Sequence, residues 1–234
     1  MSLNVAATLE GLTDQYQAIA HNLANASTVG FKRRLTVMTD AGAASPSPDG
    51  PSPAAMFTDF SQGRLVQTGR PLDVALSGPG FLVLESPNGP LYTRNGVLRP
   101  NAQGQLVDAE GRTVSGEGGP IILPSAAGES QVNISSDGKV AVNGAPIGAL
   151  QIVEFEDTTK LEAVGLNAYK APANVAGDKA TKTTVEQGYQ EASNVSPVYE
   201  LVGLIKLCRL YEANIKALQA GGDCGKSILQ VAMA

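Results

Sequence analysis

The chain has 234 residues, enough for one or two packed domains with a true core. Apolar residues make up 43%, which excludes disorder throughout, while the lack of Trp and only 5% aromatic residues argue against a carbohydrate cleft or a base-stacking platform. A formal net charge of -5 disfavours nucleic acid or an anionic membrane surface as the main partner, and no apolar run approaches the ~20 residues needed to span a bilayer.

Met1-Ser2-Leu3-Asn4 carries neither the basic start nor the apolar run of a secretory signal. The expectation is therefore cytoplasmic residence, or export by a route that leaves the N-terminus intact. Residues 1–34 read as a helix and a turn. Val5, Leu9, Leu12, Tyr16, Ile19 and Leu23 recur with alternating spacings of four and three, a heptad seam of the kind two packed helices share. Asn25, Ser27 and Thr28 compete for backbone hydrogen bonds and Gly30 permits a positive φ, so the helix should end there. Phe31 follows, and then Lys32-Arg33-Arg34, a basic cluster expected to be solvated or to pair with acids on a neighbour.

Residues 35–60 form a linker or excursion, since Ala41 to Ala55 holds almost no large apolar side chain and its prolines forbid a regular ladder. From 61 to 170 the pattern becomes that of a β-rich domain. Candidate strands are Leu72–Leu76, Phe81–Glu85, Leu91–Arg94, Leu106–Asp108, Ile121–Leu123, Val132–Ile134, Val140–Val142 and Leu150–Phe155. Asn88-Gly89, Asn95-Gly96, Asp137-Gly138 and Asn143-Gly144 lie between them and predict type I′ hairpin turns. No strand–helix alternation points to a parallel sheet.

A second low-complexity linker covers 171–184, and 185–234 holds the other helix. Ser193 and Asn194 offer N-caps, and Pro197 suits a first helical turn. Leu201, Leu204, Cys208, Tyr211, Ile215 and Leu218 make a second heptad seam, which Gly221-Gly222 should weaken and Ile228, Leu229 and Val231 could resume. The expected fold class is α+β: N- and C-terminal heptad helices in a coiled-coil-like module flanking a hairpin-rich antiparallel β domain. A plain intramolecular helical hairpin covering the sheet is the other reading of the same stripes.

Chemistry finds little support. His21, the one histidine, lies off the seam with no nucleophile placed beside it, and neither Cys-x-x-Cys nor paired His occurs for a metal. Asp137-Gly138 lacks the alternating acids of a calcium loop. In one helix Cys208 and Cys224 would stand about 24 Å apart, too far to bridge, so both read as free thiols. Ala220 to Ser227 (AGGDCGKS) loosely fits a phosphate-binding loop, but a heptad helix precedes it and seven residues follow, leaving no room for a nucleotide domain. The expectation is no enzyme, no catalytic residue, no cofactor and no metal.

Three stretches carry a resemblance. Asn22 to Lys32 (NLANASTVGFK) resembles the N-terminal signature of flagellar basal-body rod and hook proteins. Gln62 to Leu76 (QGRLVQTGRPLDVAL), Gly80-Phe81, Tyr92 to Gly96 (YTRNG) and Gly104 to Val107 (GQLV) are similar to the family's entry into its β domain. Gln187 to Val198 (QGYQEASNVSPV), followed by Arg209 to Asn214 (RLYEAN), is similar to its C-terminal motif. The matches run in order over nearly the whole chain, and the proximal-rod members look nearer than the distal-rod members.

That resemblance implies a structural subunit of the axial rod, which self-assembles into a tube and passes torque from motor to hook. It also implies export through the flagellar type III apparatus without a cleaved signal, residence in the basal body with the rod crossing the periplasm, and partners among its own copies and neighbouring rod proteins. No nucleic acid and no membrane insertion are expected. The seam residues together with Asn25, Thr28, Gly30, Phe31, Asn194 and Pro197 then become the candidate assembly interface. A secreted β-domain binding module with capping helices stays open as the rival reading.

Overall fold

The computed structural model describes residues 2–37, 55–124, 131–165 and 167–232; side chains at 2–8, 37, 55 and 223–232 lie outside that description. It is an α+β chain with two long helices and many short antiparallel strands. Helix α1 (Ser2–Ala24) stops where expected, at the turn-forming Asn25 to Gly30 stretch. β1 (Arg33–Val37) pairs with β2 (Ala55–Asp59), so both ends of the expected linker are strands. The 41–54 part of that linker lies outside the described residues.

The β unit then unfolds in order as β3 (Leu65–Gln67), β4 (Val74–Ser77), β5 (Phe81–Leu84), β6 (Leu91–Thr93), β7 (Arg99–Pro100), β8 (Leu106–Val107), β9 (Ser115–Gly116) and β10 (Gly119–Pro120). A meander of β11 (Val132–Ile134), β12 (Lys139–Val142) and β13 (Ala145–Ala149) comes next. β14 (Ile152–Glu154), β15 (Glu162–Val164), β16 (Ala168–Lys170), β17 (Asp178–Lys179), β18 (Thr184–Gln187) and β19 (Tyr189–Glu191) complete it, before α2 (Pro197–Ala232).

The central sheet has the order β15-β16-β6-β5-β14-β17. Strand β5 is buried on both faces, and the two-residue period of a strand divides its side chains between two cores. Leu82 and Leu84 join an aliphatic cluster with Leu72, Leu98, Leu106 and Val140. Phe81 and Val83 join an aromatic one with Tyr92, Phe155 and Tyr169. Its rings meet edge to face, Tyr92 on Phe155 and Phe60 on Tyr169 both at 4.8 Å, the arrangement that the ring quadrupole favours. Each fully buried leucine here contributes roughly 1.5–3 kcal/mol by leaving water.

Of the four expected type I′ turns, Asn143-Gly144 has the geometry: φ is 51° and 82°, and Val142 pairs with Ala145 across it. Asp137-Gly138 closes a longer loop instead, with Gly138 N–H donating to Ser135 O at 2.9 Å. Asn88-Gly89 sits in the wider connection between Leu84 and Leu91. Asn95-Gly96 is no hairpin at all, because Val74 N–H takes the Gly96 carbonyl at 2.9 Å.

Two strands that the sequence pattern did not reveal close the unit over a long range. β18 pairs with β4, setting Val185 against Leu76, and β19 pairs with β3, setting Gln190 against Val66. The chain divides into two compact units: 1–24, 34–57 and 196–234 form one, and 25–33 with 58–195 form the other. Contrary to expectation, α2 runs without a break through Gly221-Gly222. Two glycines cost about 2 kcal/mol of helix propensity, which a 36-residue helix outlasts.

Candidate assembly interface

The resemblance-bearing motifs come together in the β unit around one buried carboxylate. Gly30 adopts a φ of 70°, which a side chain rarely takes, and a Cβ there would stand 2.7 Å from Asn95 N. That glycine lets the backbone reach β19, where Gly30 N–H donates to Glu191 O at 2.7 Å. Phe31 follows at 1% exposure. The next residue corrects the sequence reading: Lys32 is buried, not solvated, at 1% exposure.

Lys32 Nζ donates to Glu191 Oε1 at 2.7 Å and to Ser61 O at 2.6 Å. Arg94 Nε donates to Glu191 Oε2 at 2.9 Å, and its Nη1 holds the Gly78 and Gly80 carbonyls at 2.6 and 2.5 Å. Gly63 N–H completes the set at 2.8 Å from Glu191 Oε1. The Arg94 guanidinium also stands 5.8 Å from the Phe81 ring centre, within reach of a cation–π contact. Burial pushes the Lys32 ammonium below its ordinary range, and the Glu191 carboxylate opposes that shift. Lys32, Arg94 and Glu191 arrive from far apart in sequence, and a lysine in a basic triplet gives no local sign that it will be buried.

Asn194 works beside the knot. Its Oδ1 accepts Arg33 N–H at 2.7 Å, and its Nδ2 donates to Asp59 O at 2.8 Å and Ser61 O at 3.2 Å. It therefore does not cap α2, as the sequence suggested. Ser193 Oγ accepts Val195 N–H, and Ser196 occupies the position before the first helical residue, Pro197. Asn25 is buried and accepts Thr28 N–H through its carbonyl at 3.0 Å, forming the turn that follows α1.

The helical unit holds the seams. Along α1, Leu12 is buried, Leu9, Ile19 and Leu23 are half-buried, and Tyr16 is 49% exposed. Val5 lies among the side chains that are not described. Gly203 of α2 brings the helices close, a Cβ there meeting Ile19 Cδ1 at 3.5 Å. Among the described side chains of α2, Glu200 and Leu207 are buried, Leu207 one position off the expected seam; Leu204 and Ile215 are half-buried, and Leu201, Cys208, Tyr211 and Leu218 are exposed. Leu12, Tyr16, Leu207, Cys208 and Tyr211 line a groove of ≈ 370 Å³ between the helices. Asn22 is buried and grips β1 edge-on, its Oδ1 accepting Arg34 N–H and its Nδ2 donating to Arg34 O, both at 2.8 Å.

Beyond this groove α2 bears a second apolar surface. Val198, Tyr199, Leu201, Val202 and Ile205 are 69%, 77%, 45%, 44% and 54% exposed. At 100° per residue, Val198 and Ile205 lie about 160–180° around the helix from buried Leu207. The first turns of α2 thus carry an exposed apolar surface on the side away from Glu200 and Leu207, which are buried.

His21 is half-buried, its pKa lowered by burial and then by Arg34. Among the described residues no group of three His, Cys, Asp or Glu could hold a metal. Lys226 and Ser227 sit within the continuous α2, not in a loop after a strand, which removes the geometry a phosphate-binding loop needs. No helix of the described residues is long and apolar enough to cross a membrane.

Two family models match. Residues 75–142 fit the flagellar hook protein FlgE/F/G D1 domain, and residues 186–231 fit the flagellar basal body rod FlgEFG protein C-terminal region. The chain is 32% identical to the flagellar basal-body rod protein FlgF of Caulobacter vibrioides, over 94% of this chain and 92% of that one. It is 34% identical to FlgF of Salmonella typhimurium, over 88% and 87%. It is 33% identical to the rod protein FlgG of Buchnera aphidicola, over 91% and 92%.

Proposed function

The chain belongs to the flagellar basal-body rod protein family, and on that premise we propose that it builds the rod through helix packing between subunits. It is a structural protein of the basal body, not an enzyme, and it assembles with other rod components. The observation that carries the proposed mechanism is the outer face of α2, where the large apolar side chains of Val198, Leu201, Val202 and Ile205 meet water within about two turns. An exposed apolar surface of this kind marks an association site, and among the described residues of α2 it is the Leu207 side that is buried.

In the assembled rod the seams from Val5 to Leu23 and from Leu201 to Leu218 pair in coiled-coil fashion, within and between subunits. Pro197 and Leu201 stand at the start of that contact, and the groove at Tyr16, Cys208 and Tyr211 receives a neighbour's side chains. The helical parts 1–34 and 185–234 serve as the polymerisation module, and the β domain of 61–170 sets lateral contacts. The tube passes torque from motor to hook. Its subunits leave the cytoplasm through the flagellar type III apparatus and cross the periplasm as part of the rod, with no insertion into membrane.

Within the rod the proximal segment is the favoured place, supported by likeness to the FlgF proteins of two bacteria; the FlgG likeness supports the distal segment as the second reading. Gold-labelled antibody on isolated basal bodies tests this. Label at the cell-proximal end is expected, label near the hook selects the distal reading, and label absent from the rod overturns both.

A further inference from the structure

The Lys32–Glu191–Arg94 knot has an unbalanced charge. Two cations share one carboxylate, with side-chain exposures of 0%, 2% and 0% for Lys32, Arg94 and Glu191. The further anion acting on Lys32 is Asp59, whose field raises the lysine pKa against the effects of burial and Arg94. Without Glu191, the two cations would face each other in the interior with no direct counter-charge, the arrangement that buried ion networks tolerate least.

Glu191 also belongs to a strand that reaches home late in chain order. It holds the Gly30–Lys32 stretch by a backbone bond and by the Lys32 ion pair. Asn194, three residues on, holds Arg33. Both segments run covalently into the helices, 25–33 after α1 and 189–195 before α2. We infer that Glu191 makes the docking of these two segments onto the β unit a single all-or-none event, so that the chain presents its two helices together or not at all. Lys32 cannot dock beside Arg94 until Glu191 is there to receive both. This coupling is a property of the single chain and holds whichever rod segment the protein occupies.

Hydrogen exchange on the full-length monomer tests it with Glu191→Gln, Lys32→Met and the double variant. In Glu191→Gln, amides of 30–33 should exchange faster by on the order of a hundredfold, although none of them is mutated, while 82–84 and 140–142 stay protected. The double variant should recover part of the lost protection at 30–33, because it removes one of the two stranded cations. Where Glu191→Gln opens the core as well, the same recovery is expected there. Loosening confined to 189–194 in Glu191→Gln, or a double variant looser than Glu191→Gln alone, would overturn the inference.

Discussion

Asn194→Ala separates an internal staple from an intersubunit contact. The substitution strands Arg33 N–H and removes the donor that serves the Asp59 and Ser61 carbonyls, bonds now measuring 2.7, 2.8 and 3.2 Å. A stranded buried polar group costs roughly 1–3 kcal/mol, and the half-buried setting lets water recover part of that. The net loss should be about 2–3 kcal/mol. For a domain of this size each kcal/mol moves the melting point by about 2–4 °C, so Tm should fall by about 4–12 °C. Scanning calorimetry on the purified monomer reads the change. Asn194→Asp keeps the acceptor for Arg33 but turns a carboxylate toward two carbonyls, so it should also melt early. A monomer melting within about 1 °C of wild type, paired with lost assembly, would refute this: Asn194 would then act between subunits.

Other outcomes follow from the helical unit. Leu204→Pro removes a helix hydrogen bond and clashes with the preceding turn, at a cost of about 3 kcal/mol or more, and should abolish incorporation into the rod while the β unit keeps its exchange protection. Normal assembly of that variant would contradict the seam. His21 gives a pH dependence. Its folded pKa lies below the ordinary 6.5, through burial first and Arg34 second, so below that value the unfolded chain takes up a proton that the folded one resists. Stability of the helical unit should therefore fall as pH drops from about 6.5 and level off once folded His21 also protonates. Helix melts followed by circular dichroism should show the slope, and His21→Gln should flatten it.

Much of this fold could be read from local pattern. The end of α1 at Ala24 follows from the Asn-Ala-Ser-Thr stretch, the start of α2 from Pro197, and strands such as Phe81–Leu84 and Val132–Ile134 from their β-branched and aromatic residues. The pattern failed where partners are distant. β18 and β19 are short and polar on one side, and only their pairing with β4 and β3, more than a hundred residues earlier, makes them strands. Lys32 looks like any basic surface residue until Glu191 is brought to it from 159 positions away. The heptad template also differs from the packing of α2 within the single chain. It selects Leu204 and Cys208, whereas among the described side chains of α2 the buried apolar one is Leu207. A helix with apolar residues on more than one face fits several stripes equally well, and spacing alone cannot choose among them. The same ambiguity hid the outer face at Val198, Val202 and Ile205.

That outer face offers the most direct test of the rod mechanism. Val202→Glu and Ile205→Glu each place a carboxylate on a solvent-facing position of the free chain, so monomer stability should change by no more than about 0.5 kcal/mol. Each variant is then expressed in cells lacking the native protein, and its content in isolated basal bodies is measured. The predicted result is a stable, folded subunit that is missing from the rod, with loss of motility. Basal bodies that hold either variant at the native level, in cells that swim normally, would contradict helix packing through this face.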